Sequence, residues 1–116
     1  MKKLVPIFIF LCFAAVQLNA KAKIVVDSAK VYSIKLANAD LKKGRVKFLI
    51  QGGFAPVYYK GQEIFEKKYN ISYYEFGCVL PSDISIKHYN RVVASFMDRK
   101  YGKYWRKEVR KDIQGI

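Results

Sequence analysis

The stretch Ser85-Ile86-Lys87-His88-Tyr89-Asn90-Arg91-Val92-Val93-Ala94-Ser95-Phe96-Met97-Asp98-Arg99-Lys100-Tyr101-Gly102 carries the clearest periodicity in the chain. Its apolar residues Ile86, Tyr89, Val92, Val93, Phe96, Met97 and Tyr101 recur at steps of three and four, the spacing of one face of an α-helix. Pro81 closes the preceding segment, and Ser82 or Ser85 is placed to cap the helix. Beyond Gly102 the apolar residues are Trp105, Val109 and Ile113, and on a helical wheel they centre about 160° away from the earlier stripe. One straight helix cannot bury both sets. The expectation is a break at Gly102, acting as a left-handed C-terminal cap, and a second short helix over residues 103–113.

Upstream, the pattern changes from a period near 3.6 to one of two. Val46, Phe48 and Ile50 alternate with Lys47 and Leu49, and Gln51-Gly52-Gly53 follows as a turn. Further glycines would be needed for a phosphate-cradling loop, and Phe54-Ala55-Pro56 stands there instead. Residues 61–69 read as a short helix with Ile64 and Phe65 inward, Glu63 paired with Lys67, and Asn70 as a left-handed exit. Residues 71–76 read as a strand whose Tyr73 and Tyr74 point to opposite faces, one buried and one exposed. Nearer the N-terminus, Ile24-Val25-Val26 and the alternation of Tyr32, Ile34 and Leu36 favour strands, with a helix over residues 28–41 as the competing assignment. The expected architecture is a single α+β domain: a sheet of three or four strands from residues 23–50 and 71–76, packed by C-terminal helices. Its second half runs strand, helix, strand, helix.

Ahead of this domain, Lys2 and Lys3 precede an apolar run over residues 4–16 and the polar exit Gln17-Leu18-Asn19-Ala20. Basic, apolar and polar in that order is the layout of a secretory signal peptide, residues 1–20. The run is short of the roughly 20 residues a transmembrane helix needs, so no membrane anchor is expected after cleavage. Cys12 does not suggest lipidation, because Leu11 stands before it where a small residue is required. The remaining 96 residues hold 20 Lys or Arg against nine acids, a formal charge of +11. They also hold 15 aromatic side chains, which disordered chains lack. Cys78 is their lone cysteine, so the domain has no internal disulfide, and packing has to hold it together. Burial is the usual fate of such a thiol.

A charge of this size calls for either solubility or an anionic partner. On the helix expected over residues 103–113, Lys103, Arg106, Lys107, Arg110 and Lys111 share one face, and Trp105, Val109 and Ile113 the other. The five cations are the candidate anion-binding site; the plain alternative is a solvated face near a helix C-terminus. In an exported protein, anionic lipid, acidic polysaccharide or an acidic protein are better targets than nucleic acid, which is disfavoured. An enzyme would have to combine Cys78 as nucleophile with His88 and a carboxylate such as Asp83 or Glu75. No cofactor motif is present, and a metal site would need more ligands than one histidine and one cysteine supply.

The string Phe65-Glu66-Lys67-Lys68-Tyr69, the triplet Phe76-Gly77-Cys78, and the closing run Lys100-Tyr101-Gly102-Lys103-Tyr104-Trp105-Arg106-Lys107-Glu108 together resemble a family of short exported bacterial proteins called FEKKY domain-containing. The resemblance spans residues 44–116. It implies a Gram-negative exported protein, in the periplasm or outside the cell, and it brings no catalytic residue with it. On this reading, N-terminal sequencing of the exported protein is expected to begin at Lys21, and a start before Gln17 would show that the leader ends elsewhere.

Overall fold

A computed structural model of the protein describes residues 20–116, with side chains described from residue 28 onward. The leader expected over residues 1–20 therefore lies, except for its last residue, outside the described residues. In chain order the elements are helix α1 (Ala20–Lys42), strand β1 (Lys47–Ile50), helix α2 (Gln62–Tyr69), strand β2 (Ser72–Glu75), helix α3 (Ile86–Tyr101) and a 3₁₀ turn (Tyr104–Lys107). The α+β class stands, but the sheet has two strands where three or four were expected.

The missing strands are α1. Its inward residues are Ser33, Ala37 and Asp40, three and four apart, with Leu36 half-buried beside them, whereas Tyr32 faces solvent. The inner face is small and polar, so hydropathy alone does not show its helical period. What makes that face burial-competent is bonding to α3. Ser85 donates its N–H to Ser33 Oγ at 2.7 Å, and Tyr89 donates its hydroxyl to Asp40 Oδ2 at 2.6 Å. Ala37, with no accessible surface, lets the two helices close together.

β1 and β2 are parallel, with Lys47 opposite Ser72 and Ile50 opposite Glu75. Parallel neighbours require a crossover, and residues 51–71 supply it through α2. The second half thus runs strand, helix, strand, helix, as the periodicity predicts. Phe48, Leu49 and Ile50 are all buried, so β1 is covered on both faces. β2 is half-exposed, with Tyr73 turned toward the core and Tyr74 toward solvent. The edge of β1 away from β2 is closed by a side chain. Asn90, fully buried on α3, accepts the Leu49 N–H at 2.8 Å, donates to the Leu49 carbonyl at 2.9 Å, and donates again to the Gln114 carbonyl at 2.9 Å. An exposed strand edge is a pairing hazard, and here one carboxamide occupies it.

In α2, Asn70 takes the left-handed exit at φ 49°, as expected. Phe65 is buried, but Ile64 is 67% exposed and does not face inward. Glu63 is bonded to the Tyr58 hydroxyl. The break at Gly102 is present with φ 74° and ψ −167°, an extended positive-φ conformation open to glycine and not the left-handed cap expected. Past it there is no second helix over residues 103–113. Trp105 has to drop onto Phe48, ring centroids 5.6 Å apart, and the backbone manages this with one 3₁₀ turn followed by further turns. Trp105, Val109 and Ile113 are nonetheless the buried residues of the segment, as their spacing suggested.

Asn90→Leu removes both partners of Leu49 while preserving approximate volume. At about 1–3 kcal/mol for each buried backbone group left unpaired, the variant is expected to lose about 3 kcal/mol in urea denaturation. A loss under about 1 kcal/mol would mean that the β1 edge does not depend on this amide.

Candidate functional site

Without a helix over residues 103–113, the five cations assigned to one face part company. Arg110 is buried, its side chain 3% exposed. Its guanidinium donates to Asp112 at 2.7 and 3.0 Å and reaches Glu75 at 3.3 Å and Gln62 at 3.3 Å. The rings of Tyr59 and Tyr73 stand against it, centroids 4.5 and 5.2 Å away. Two carboxylates already neutralise this charge, which makes Arg110 a tie between β2, the 51–61 loop and the C-terminal segment. Burial pushes the Tyr73 phenol up to about 12, with Arg110 opposing it.

Arg106 is also engaged. It forms a two-point bond to Asp98 at 2.9 and 3.1 Å, and Asp98 in turn accepts the Trp105 indole N–H at 3.0 Å. The Arg106 hydrogen bond holds the Asp98 carboxyl below the usual carboxylate range. Lys103, Lys107 and Lys111 remain exposed.

Lys107 and Lys111 acquire a neighbour that no sequence pattern announced. An open groove of about 400 Å³ lies between the turn before α2 and the C-terminal segment, lined by Lys60, Tyr73, Lys107, Arg110 and Lys111 among others. Lys60 is 47 positions before Lys107, so only the crossover brings them together. Among the described residues, none of these three lysines forms an ion pair. The acids around the groove have other partners: Glu108, itself part of the lining, is bonded to Lys68 at 2.8 Å, and Glu75 and Asp112 to Arg110. The free positive charge of the groove therefore lies on its lysines, since Glu108 in its lining is matched by Lys68, and Arg110 is more than matched by Glu75 and Asp112.

The alternative catalytic set does not assemble. Cys78 is exposed, contrary to the burial expected of it. His88 Nδ1 is 2.6 Å from Ser85 Oγ, one turn back on its own helix. Burial holds its pKa below the ordinary value, and the charges of Lys30, Arg91 and Lys87 push the same way. Asp83 is exposed, and among the described residues no hydrogen bond links Cys78, His88 and Asp83. No cluster of three or more His, Cys, Asp or Glu able to hold a metal ion occurs among the described residues, and no helix among them is long and apolar enough to cross a membrane.

The string over residues 65–69 has a physical explanation in this arrangement. Phe65 and Tyr69 are buried one turn apart, their rings 4.9 Å from each other and in contact with Tyr73 and Tyr101 respectively. Glu66 accepts the Tyr73 N–H at 3.2 Å, and Lys68 and the Tyr69 hydroxyl both donate to Glu108. Four of the five side chains thus bind α2 to β2 and the C-terminal segment. Lys67 and Lys68 are both exposed, and of the two it is Lys68 that bonds to the C-terminal segment.

Comparison with protein-family models, with curated proteins and with solved structures gave no match.

Breaking a buried pair by removing one partner costs about 3–5 kcal/mol. Arg110→Gln is therefore expected to lower stability by about 3 kcal/mol in thermal or urea unfolding. Lys60→Gln, Lys107→Gln and Lys111→Gln, having no acidic partner to abandon, are each expected to stay within about 0.5 kcal/mol of the parent.

Proposed function

We propose that the protein is an exported, non-catalytic interaction module of the FEKKY domain-containing kind, and that it engages an anionic partner of the cell envelope through the groove between residues 59–62 and 107–111. The observation that carries this reading is the unpaired lysine rim. Lys60, Lys107 and Lys111 line one concavity and none forms an ion pair among the described residues, while Glu108, which lines it too, is held by Lys68, and Glu75 and Asp112 are held by Arg110. Of the five cations first considered, Lys107 and Lys111 serve binding, Lys103 adds to the local field, and Arg106 and Arg110 brace the fold. Three lysines around one groove repel one another, and an anion seated among them relieves that repulsion.

The contact is electrostatic and partly exposed, so salt weakens it: the screening length shortens from about 10 Å at 0.1 M to about 3 Å at 1 M. The triple variant Lys60→Glu, Lys107→Glu, Lys111→Glu is expected to lose salt-sensitive retention on a dextran sulfate column while keeping the parent melting temperature within a few degrees. Retention equal to the parent's would remove the groove as the binding site.

A further inference from the structure

The loop that brings Lys60 to the groove also carries the most exposed large apolar side chain of the described residues. Phe54 is fully exposed, and Val57 and Tyr58 are 54% and 64% exposed. Pro56, Val57 and Tyr58 line a hollow of about 290 Å³ with Gln62, Tyr73, Glu75 and Arg110. Gln62, Tyr73 and Arg110 line the lysine-rimmed groove as well, so the apolar loop and the cationic rim share a wall. The root of the loop is held in place: Gly52 has φ +74°, and a Cβ on it would lie 3.1 Å from the backbone N of Gly77. The loops after β1 and β2 therefore leave the sheet side by side, and the second carries Val79, 80% exposed.

The exposed ring and valine of the 51–61 loop, which also carries Lys60, and the lysine-rimmed groove that shares the wall of Gln62, Tyr73 and Arg110 with the Val57 hollow form a two-part surface. The lysines suit any polyanion, but the ring and the valines offer a sugar polymer or a strongly acidic peptide no hydrogen bond. They suit a solvent into which an apolar side chain sinks while a lysine beside it stays at the level of the phosphates. We infer that the partner is the surface of an anionic phospholipid bilayer, with Phe54 and Val57 entering the acyl boundary and Lys60, Lys107 and Lys111 lying against headgroup phosphates. This inference rests on the groove reading and adds a partner to it. An anionic leaflet attracts such lysines within a Debye length of its surface, and the aromatic ring then converts a salt-sensitive encounter into a less salt-sensitive one.

The test uses the chain as isolated from the cells that export it. Trp105 is fully buried, so a Phe54→Trp variant adds one exposed indole whose emission is separable from that of the parent. With vesicles of equimolar phosphatidylglycerol and phosphatidylcholine, that emission is expected to shift to the blue and to be quenched by brominated acyl chains. Phosphatidylcholine vesicles alone are expected to leave it unchanged. Phe54→Ser combined with Val57→Ser is expected to weaken partitioning into the anionic vesicles at least about tenfold. Retention on dextran sulfate should be unchanged and the fold intact by circular dichroism, because both side chains are exposed. An unshifted indole on anionic vesicles, in a protein whose lysine triple variant loses dextran sulfate retention, would overturn bilayer insertion and leave the groove reading standing with a soluble polyanion as occupant. Loss of dextran sulfate retention in the Phe54→Ser, Val57→Ser protein would also overturn it, since the loop would then be a polyanion contact. Equal shifts on neutral and anionic vesicles would show insertion independent of the lysines and so remove the rim from the proposal.

Discussion

A two-stranded sheet, the one sheet among the described residues, has a free edge to occupy on β1, and the carboxamide of Asn90 does that. A single side chain with one acceptor and two donor hydrogens replaces what a third strand would have supplied to Leu49, and its remaining hydrogen holds the Gln114 carbonyl. Three separate parts of the chain, α3, β1 and the C-terminal tail, are thereby placed relative to one another by one planar group. Because the site is fully buried, water cannot substitute cheaply for a missing bond, which is why the geometry is specified so closely. The tail then passes so close to the start of α3 that a Cβ at Gly115 would sit 2.3 Å from the Lys87 carbonyl oxygen.

With its tail pinned at Gln114 and Trp105 seated on Phe48, the segment between them cannot also be a regular helix. This decides the electrostatics of the surface. A helix would have displayed five cations together, but the observed turns direct Arg110 inward onto Glu75 and Asp112 and direct Arg106 onto Asp98. Arginine suits these positions because its planar fork bonds carboxylates at two points and stacks on tyrosine rings. The lysines, with compact and strongly hydrated charges, stay outside. In this segment the two arginines tie the fold, Arg110 from within and Arg106 at the surface, and the cations left without an ion pair among the described residues are lysines.

The short string over residues 65–69 illustrates how a segment of aromatic and charged side chains can serve folding. Its two aromatic residues join an unbroken set of ring contacts from Tyr73 through Phe65 and Tyr69 to Tyr101, and its charged residues fasten β2 and Glu108. Among the described residues, no hydrogen bond links the exposed Cys78 to His88 or Asp83.

Period and composition by themselves determined the elements whose buried face is apolar. α3 and β1 were legible because Ile86 to Tyr101 and Val46 to Ile50 repeat hydrophobically, α2 through Phe65 and the exit at Asn70 although Ile64 faces out, and β2 through the Tyr73–Tyr74 pair; the core assignments of Trp105, Val109 and Ile113 followed from spacing alone. α1 was misassigned as strand because Ser33, Ala37 and Asp40 bury through hydrogen bonds and close packing, which leave no hydropathy period to read. The groove was invisible for a related reason: Lys60 and Lys107 lie far apart in sequence and meet only because a parallel pair of strands forces the chain across the sheet. Local sequence sets which face of a segment avoids water. Which charges are neutralised and which are left free depends on long-range pairings, and those exist only once the tertiary fold has closed.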